Sequence, residues 1–249
     1  MLIVFAFIIA LFFAMNIGAS GSAASMGIAY GSGALRFRTV ALSLCAVGIF
    51  LGSLLGSREV IKTIGTGLIP SSLLSIELVL IILTSACATL FFANMLGVPL
   101  STSEVTVGSV VGVGIAYQAV YFKHVLSVVV WWIIIPIVAF SFAFLVGKMM
   151  RKLIQKDTLS KLENKRSLIF FVVLAGFFEA FSAGMNNAAN AIGPLVGANF
   201  LSIEKGMFLG GLFVAIGALT LGGRVLETNG TKITRLTIHD GVVVSFTSG

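Results

Sequence analysis

The chain has 249 residues, of which 58% are hydrophobic and only 10% charged, with a mean hydropathy of +1.10. Soluble domains carry about 25% charged residues, so a water-facing surface could not be built from this supply, and a soluble enzyme or binding module is excluded. The net charge of +7 does not indicate nucleic acid, because it is concentrated in one linker that lacks groove-reading or aromatic partners.

In chain order, residues 1–35 carry no side-chain charge, and 39–57, 78–103, 105–122, 125–147 and 206–223 contain no Asp, Glu, Lys or Arg. Each is near or beyond the roughly 18–20 apolar residues that cross a hydrocarbon core as a helix. Residues 1–14 resemble a signal-peptide core but lack its positively charged start, and the same module returns later. Residues 148–166 hold Lys148, Arg151, Lys152, Lys156, Lys161, Lys165 and Arg166 against Asp157 and Glu163. The positive-inside rule makes this linker a cytoplasmic loop. Cys45 and Cys87 lie inside apolar runs, with no disulfide or metal spacing. His124 and His239 stand near expected membrane boundaries without an evident partner.

An internal repeat organises the chain. With Gly18 over Gly184, an ungapped offset of 166 (184 − 18) also places Phe12 on Phe178, Ala14 on Ala180, Ala23 on Ala189, Gly31 on Gly197 and Arg58 on Arg224. Paired halves joined by a long loop mark secondary transporters. The expected division is 1–147 as a first transmembrane repeat with a re-entrant hairpin near 97–104, 148–166 as the loop, and 167–249 as a second, incomplete repeat. Under that offset, the partner of Ser101 falls near position 267, beyond the last residue.

Each copy carries a cluster of small and polar residues at mid-span: Asn16 to Ser25, with Ser20, Ser22 and Ser25, and Ser182 to Ala191, with Asn186, Asn187 and Asn190. Such a cluster can open a helix so that freed N–H groups and a positive dipole end face an anion. Close helix packing through small residues explains the Gly and Ala but not the amides and hydroxyls. A further candidate is Gly97-Val98-Pro99-Leu100-Ser101-Thr102-Ser103-Glu104, where a helix-ending Gly-x-Pro leads into three hydroxyls. There Ser101 or Thr102 would cap a new helix, with Glu104 in its first turn.

These features resemble the inorganic phosphate transporter family, the phosphate permeases with the repeated signature Gly-Ala-Asn-Asp-x-Ala-Asn-Ala. Gly184-Met185-Asn186-Asn187-Ala188-Ala189-Asn190-Ala191 matches at most positions, and Gly18-Ala19-Ser20-Gly21-Ser22-Ala23-Ala24-Ser25 is a weaker copy. Pro99 to Glu104 resembles the family's Pro-Val-Ser-Thr-Thr-His. Residues 223–230 with Lys232-Ile233-Thr234 are similar to its Gly-Lys-Arg-Val-x-Glu-Thr-x-Gly segment. Ser103-Glu104-Val105-Thr106-Val107-Gly108 is most similar to the bacterial sulfate permease branch.

The resemblance implies an all-α integral membrane protein of the cell membrane, a two-repeat secondary transporter with broken or re-entrant helices. The second repeat is expected to be truncated. It implies transport of an inorganic oxyanion without enzymatic chemistry, cofactor or metal. The signature aspartates, which the resemblance associates with cation coupling and substrate, are replaced by Gly21 and Asn187. Neutral amides, hydroxyls and N–H groups suit sulfate, which has no proton at neutral pH, better than hydrogen phosphate, whose proton seeks an acceptor. The substrate-binding candidates are therefore Ser20, Ser22, Ser25, Ser101, Thr102, Ser103, Asn186, Asn187 and Asn190. With the aspartates absent, Glu104 and then Glu179 become candidates for proton coupling. The expected partners are sulfate or phosphate, a coupling proton in preference to sodium, membrane lipid, and a second copy in a homodimer; nucleic acid is not among them. The alternatives are a proton- or sodium-coupled phosphate symporter and a non-transporting packing or assembly protein.

Overall fold

The structure is a computed structural model that describes residues 1–96, 100–155 and 165–227. The expected Gly97-Val98-Pro99 turn, residues 156–164 of the basic loop, and the segments around Lys232 and 241–249 lie outside the described residues. The described residues fold into helices α1 (Leu2–Gly31), α2 (Arg38–Gly56), α3 (Arg58–Lys62), α4 (Ile76–Leu96), α5 (Thr102–Ala116), α6 (Phe122–Gln155), α7 (Lys165–Gly197), α8 (Ile203–Leu221) and α9 (Gly223–Glu227). A π-helical turn, Thr63–Gly67, follows α3. Six of these helices are long and apolar enough to cross a membrane, consistent with backbone groups satisfied inside each segment. The protein is an integral, multi-pass membrane protein.

The centre of the bundle is α1, α2, α7 and α8, and glycines set how closely they approach. A Cβ on Gly18 would collide with the Val214 carbonyl, and one on Gly217 with the Met15 carbonyl. The other pair repeats the pattern: Gly184 lies against the Ile49 carbonyl and Gly52 against the Phe181 carbonyl. These contacts superpose with an offset of 166 between α1 and α7 (184 − 18) and of 165 between α2 and α8 (217 − 52). The ungapped offset therefore needs a correction: it slips by one residue in the connecting turns. The α1–α2 connection turns through Gly33 with φ +75, and the α7–α8 connection turns through Asn199 with φ 59. Gly and Asn tolerate that left-handed conformation best. The second turn spends one residue fewer between helix ends. In the corrected register Arg58 faces Gly223, so the Arg58/Arg224 match is one position out.

The relative direction of the halves follows from contacts. Ser25 Oγ lies 3.3 Å from Cys45 Sγ across the short turn, so α1 and α2 are antiparallel. Gly48 lies against Phe177, Ala180 and Phe181, Gly56 against Met185, and Gly65 against Gly193 and Gly197. Residue numbers rise together, so α2 and its continuation run parallel to α7. Consequently α1 and α7 are antiparallel, and the two halves are inverted.

The clusters at 16–25 and 182–191 do not open their helices, contrary to expectation: α1 and α7 run unbroken through them. The physical reason is that the small residues are consumed in helix packing while the asparagine side chains, rather than freed backbone, carry the polarity. α4 ends at Leu96 and a new helix, α5, begins at Thr102. Ser101 caps α5 by accepting from the Glu104 N–H at 3.4 Å. The start of α6 is tied back to the segment after α3, with the Tyr121 N–H donating to the Leu68 carbonyl at 2.9 Å and His124 Nδ1 2.9 Å from the Gly67 carbonyl. His124 thus has the partner that its sequence position did not reveal. The apolar stretch of α6, Phe122–Met149, buries none of its residues against the described chain.

Candidate functional site

The two polar motifs, far apart in sequence, meet. The first turn of α5 comes against the middle of α7, and four side-chain hydrogen bonds join them. Thr102 Oγ1 donates to Asn187 Oδ1 at 3.1 Å. Asn190 Nδ2 donates to Thr102 Oγ1 and Ser103 Oγ, each at 3.3 Å. Asn186 Nδ2 donates to Ser103 Oγ at 2.9 Å. The spacing explains why one helix supplies all three amides: positions 186, 187 and 190 share a face at i, i+1 and i+4. Asn190 is fully buried and Asn186 exposed, so the cluster runs from the protein interior to its surface.

The cluster is rich in donors. Ser103 accepts from two amides, and neither contact uses its own hydroxyl hydrogen. The first N–H groups of α5 have no intrahelical acceptor, and the positive end of its dipole points at the same place. Among the described residues of the cluster no side chain carries a charge. Asn190 Oδ1 is buried without a hydrogen-bond partner; as an acceptor it calls for a donor such as a water.

The third wall is α1. A Cβ on Gly21 would stand 3.0 Å from Asn187 Nδ2. Gly21 and Asn187 are equivalent under the 166-residue offset. Two equivalent positions of an inverted repeat can touch only beside the axis that relates them, which lies in the membrane plane. The cluster therefore lies beside the axis that relates the two halves.

The other sequence candidates are placed elsewhere. Ser20 Oγ bonds back to the Asn16 and Ile17 carbonyls of its own helix. Ser25 is buried against Cys45, toward α2. Ser101 caps α5 through its hydroxyl oxygen, which accepts from the Glu104 N–H. Ser22 lies on α1, and its side chain is outside the described set. Glu104 is exposed in the first turn of α5, and Glu179 is half-buried on α7, two turns before Asn186. Sequence reasoning noted Gly21 only as a lost aspartate. Its equivalence to Asn187 was the available signal that it lines the same site.

Comparison with known proteins decides the family. The profile of the phosphate transporter family matches residues 17–249. The chain belongs to the phosphate transporter family. It is 53% identical over 242 residues to the sulfate permease CysP of Bacillus subtilis, covering 97% of this chain and 68% of that protein. A protein of Pyrococcus abyssi named as a phosphate permease is 28% identical over 326 residues, covering 97% and 80% of the two chains. Among solved structures, a sodium-dependent phosphate transporter superposes with a TM-score of 0.81 at 25% identity, covering 99% of this chain and 82% of that one. Members of this family are permeases, so the chain is an inorganic-anion transporter of the cell membrane and not an enzyme.

Proposed function

We propose that the protein is a sulfate permease in which the anion sits between the tip of α5 and the middle of α7. The observation that carries this reading is the charge-neutral, donor-rich cluster of Thr102, Ser103, Asn186, Asn187 and Asn190, with Gly21 and Asn187 where the family signature has aspartates. A carboxylate there would repel a dianion that has no proton to share with it, whereas hydroxyl and amide N–H groups can complete its coordination. The 53% identity to a sulfate permease supports the same choice. Transport is driven by a proton, with Glu104 and Glu179 as candidate carriers, since ionisable side chains at membrane depth are functional suspects by default. The basic loop faces the cytoplasm, which puts Arg36 and Arg38 on the cytoplasmic face as well.

The test is uptake of labelled sulfate by cells lacking their own sulfate permease and expressing this protein, with excess phosphate as competitor. Sulfate uptake indifferent to phosphate is expected. Phosphate uptake that sulfate does not inhibit would overturn the reading. Replacing sodium with choline should leave uptake intact, whereas collapsing the pH gradient should abolish it. If pH dependence survives in both Glu104→Gln and Glu179→Gln, the coupling assignment is wrong.

A further inference from the structure

We infer that Thr102 is a positioning residue for selectivity: its hydroxyl fixes which face of the Asn187 amide the anion meets. The inference rests on the sulfate reading and adds the device that enforces it. A side-chain amide can present either two N–H donors or a carbonyl acceptor, and a half-turn about its last bond exchanges them. At position 187 that choice is made by a directed chain of hydrogen bonds. Asn190 is fully buried, and its Nδ2 reaches both Thr102 Oγ1 and Ser103 Oγ at 3.3 Å. Thr102 Oγ1 accepts from Asn190 and donates its single hydrogen to Asn187 Oδ1, 3.1 Å away. With its oxygen taken, Asn187 turns its N–H groups toward Gly21, whose missing side chain leaves the approach open; a Cβ there would be 3.0 Å from Asn187 Nδ2.

The consequence is chemical. A site that can offer only donors at position 187 accepts a fully deprotonated tetrahedral dianion. Position 187 then gives no acceptor to the proton of hydrogen phosphate, and a buried polar group left unpaired is what makes discrimination steep. Were the Thr102 hydroxyl absent, the amide could turn its carbonyl to the ligand. It would then serve hydrogen phosphate as well as sulfate.

The experiment compares Thr102→Val and Thr102→Ser in the sulfate-uptake assay, in the native and the Asn187→Ala backgrounds, with folded protein measured in parallel by size exclusion in detergent. Thr102→Val should raise the KM for sulfate roughly tenfold or more and narrow the preference for sulfate over phosphate by a similar factor. Thr102→Ser, which keeps the hydroxyl, should restore both. In the Asn187→Ala background, where no amide is left to orient, Thr102→Val should change the preference ratio little further. Two outcomes overturn the inference. One is a Thr102→Val protein that loses uptake in proportion to folded protein with its preference intact. The other is an equal change of preference in both backgrounds, which would mean that Thr102 touches the anion and does not act through Asn187. Carriage of phosphate alone by the unsubstituted protein would instead defeat the sulfate reading. The coupling between positions 102 and 187 would still be readable with phosphate.

Discussion

Gly21 and Asn187 hold equivalent positions in two inverted halves, and they touch: the place of a Gly21 Cβ is 3.0 Å from Asn187 Nδ2. The contact brings α1 into a site otherwise made by α5 and α7. A Cβ at that distance forces its neighbour to move. Gly21→Ala is therefore expected to displace the Asn187 amide and raise the KM for sulfate about tenfold, a cost on the order of 1.4 kcal/mol. Uptake kinetics check this; an unchanged KM would remove α1 from the site.

Asn190 anchors the cluster from below. Asn190→Ala removes the donor that Thr102 and Ser103 share, and leaves buried groups unpaired at about 1–3 kcal/mol. A lower thermal midpoint in detergent together with weakened sulfate binding is expected. Unimpaired binding would show that the α5 tip holds its geometry without α7.

The glycine contacts between halves should be sharply intolerant. Gly52→Val and Gly217→Val each drive a side chain into a carbonyl of the opposite half, and overpacking of a fixed backbone costs about 3 kcal/mol or more. Gly108→Val serves as the control, because nothing lies within 4 Å of a Cβ there. Thermal unfolding of the purified variants should separate the first two from the third, and comparable losses in all three would contradict the packing account.

The ion pairs that tie the halves should matter little. Arg38–Glu227 at 2.7 Å and Arg58–Glu204 at 3.2 Å have all four side chains at least 45% exposed. Exposed pairs contribute about 0–1 kcal/mol. Arg38→Gln and Arg58→Gln are expected to shift stability by less than that range and leave sulfate uptake unchanged. Loss of uptake in either would give these pairs a role in the transport cycle.

Hydropathy by itself determined the class and most of the spans; residues 105–122, uncharged throughout, instead contribute to the 15-residue α5, too short to count among the six. Spans such as 39–57 and 206–223 are legible because a bilayer demands long uncharged runs whatever their tertiary neighbours. The repeat was legible too, since Gly18 and Gly184 serve one purpose and so share one residue type. The amide and hydroxyl motifs marked themselves by being polar where polarity is costly. Sequence could not decide which polar residues act together. Thr102 and Asn187 stand 85 positions apart, and no local pattern encodes a contact formed only when α5 docks on α7. Nor could it tell that α1 and α7 stay unbroken, because small polar residues permit either an opened helix or a packed one. Tertiary structure decided between them: opposing backbones fill the glycine notches, the neighbouring hydroxyls accept from the Asn186 and Asn190 N–H groups, and the helical hydrogen bonds have no reason to part.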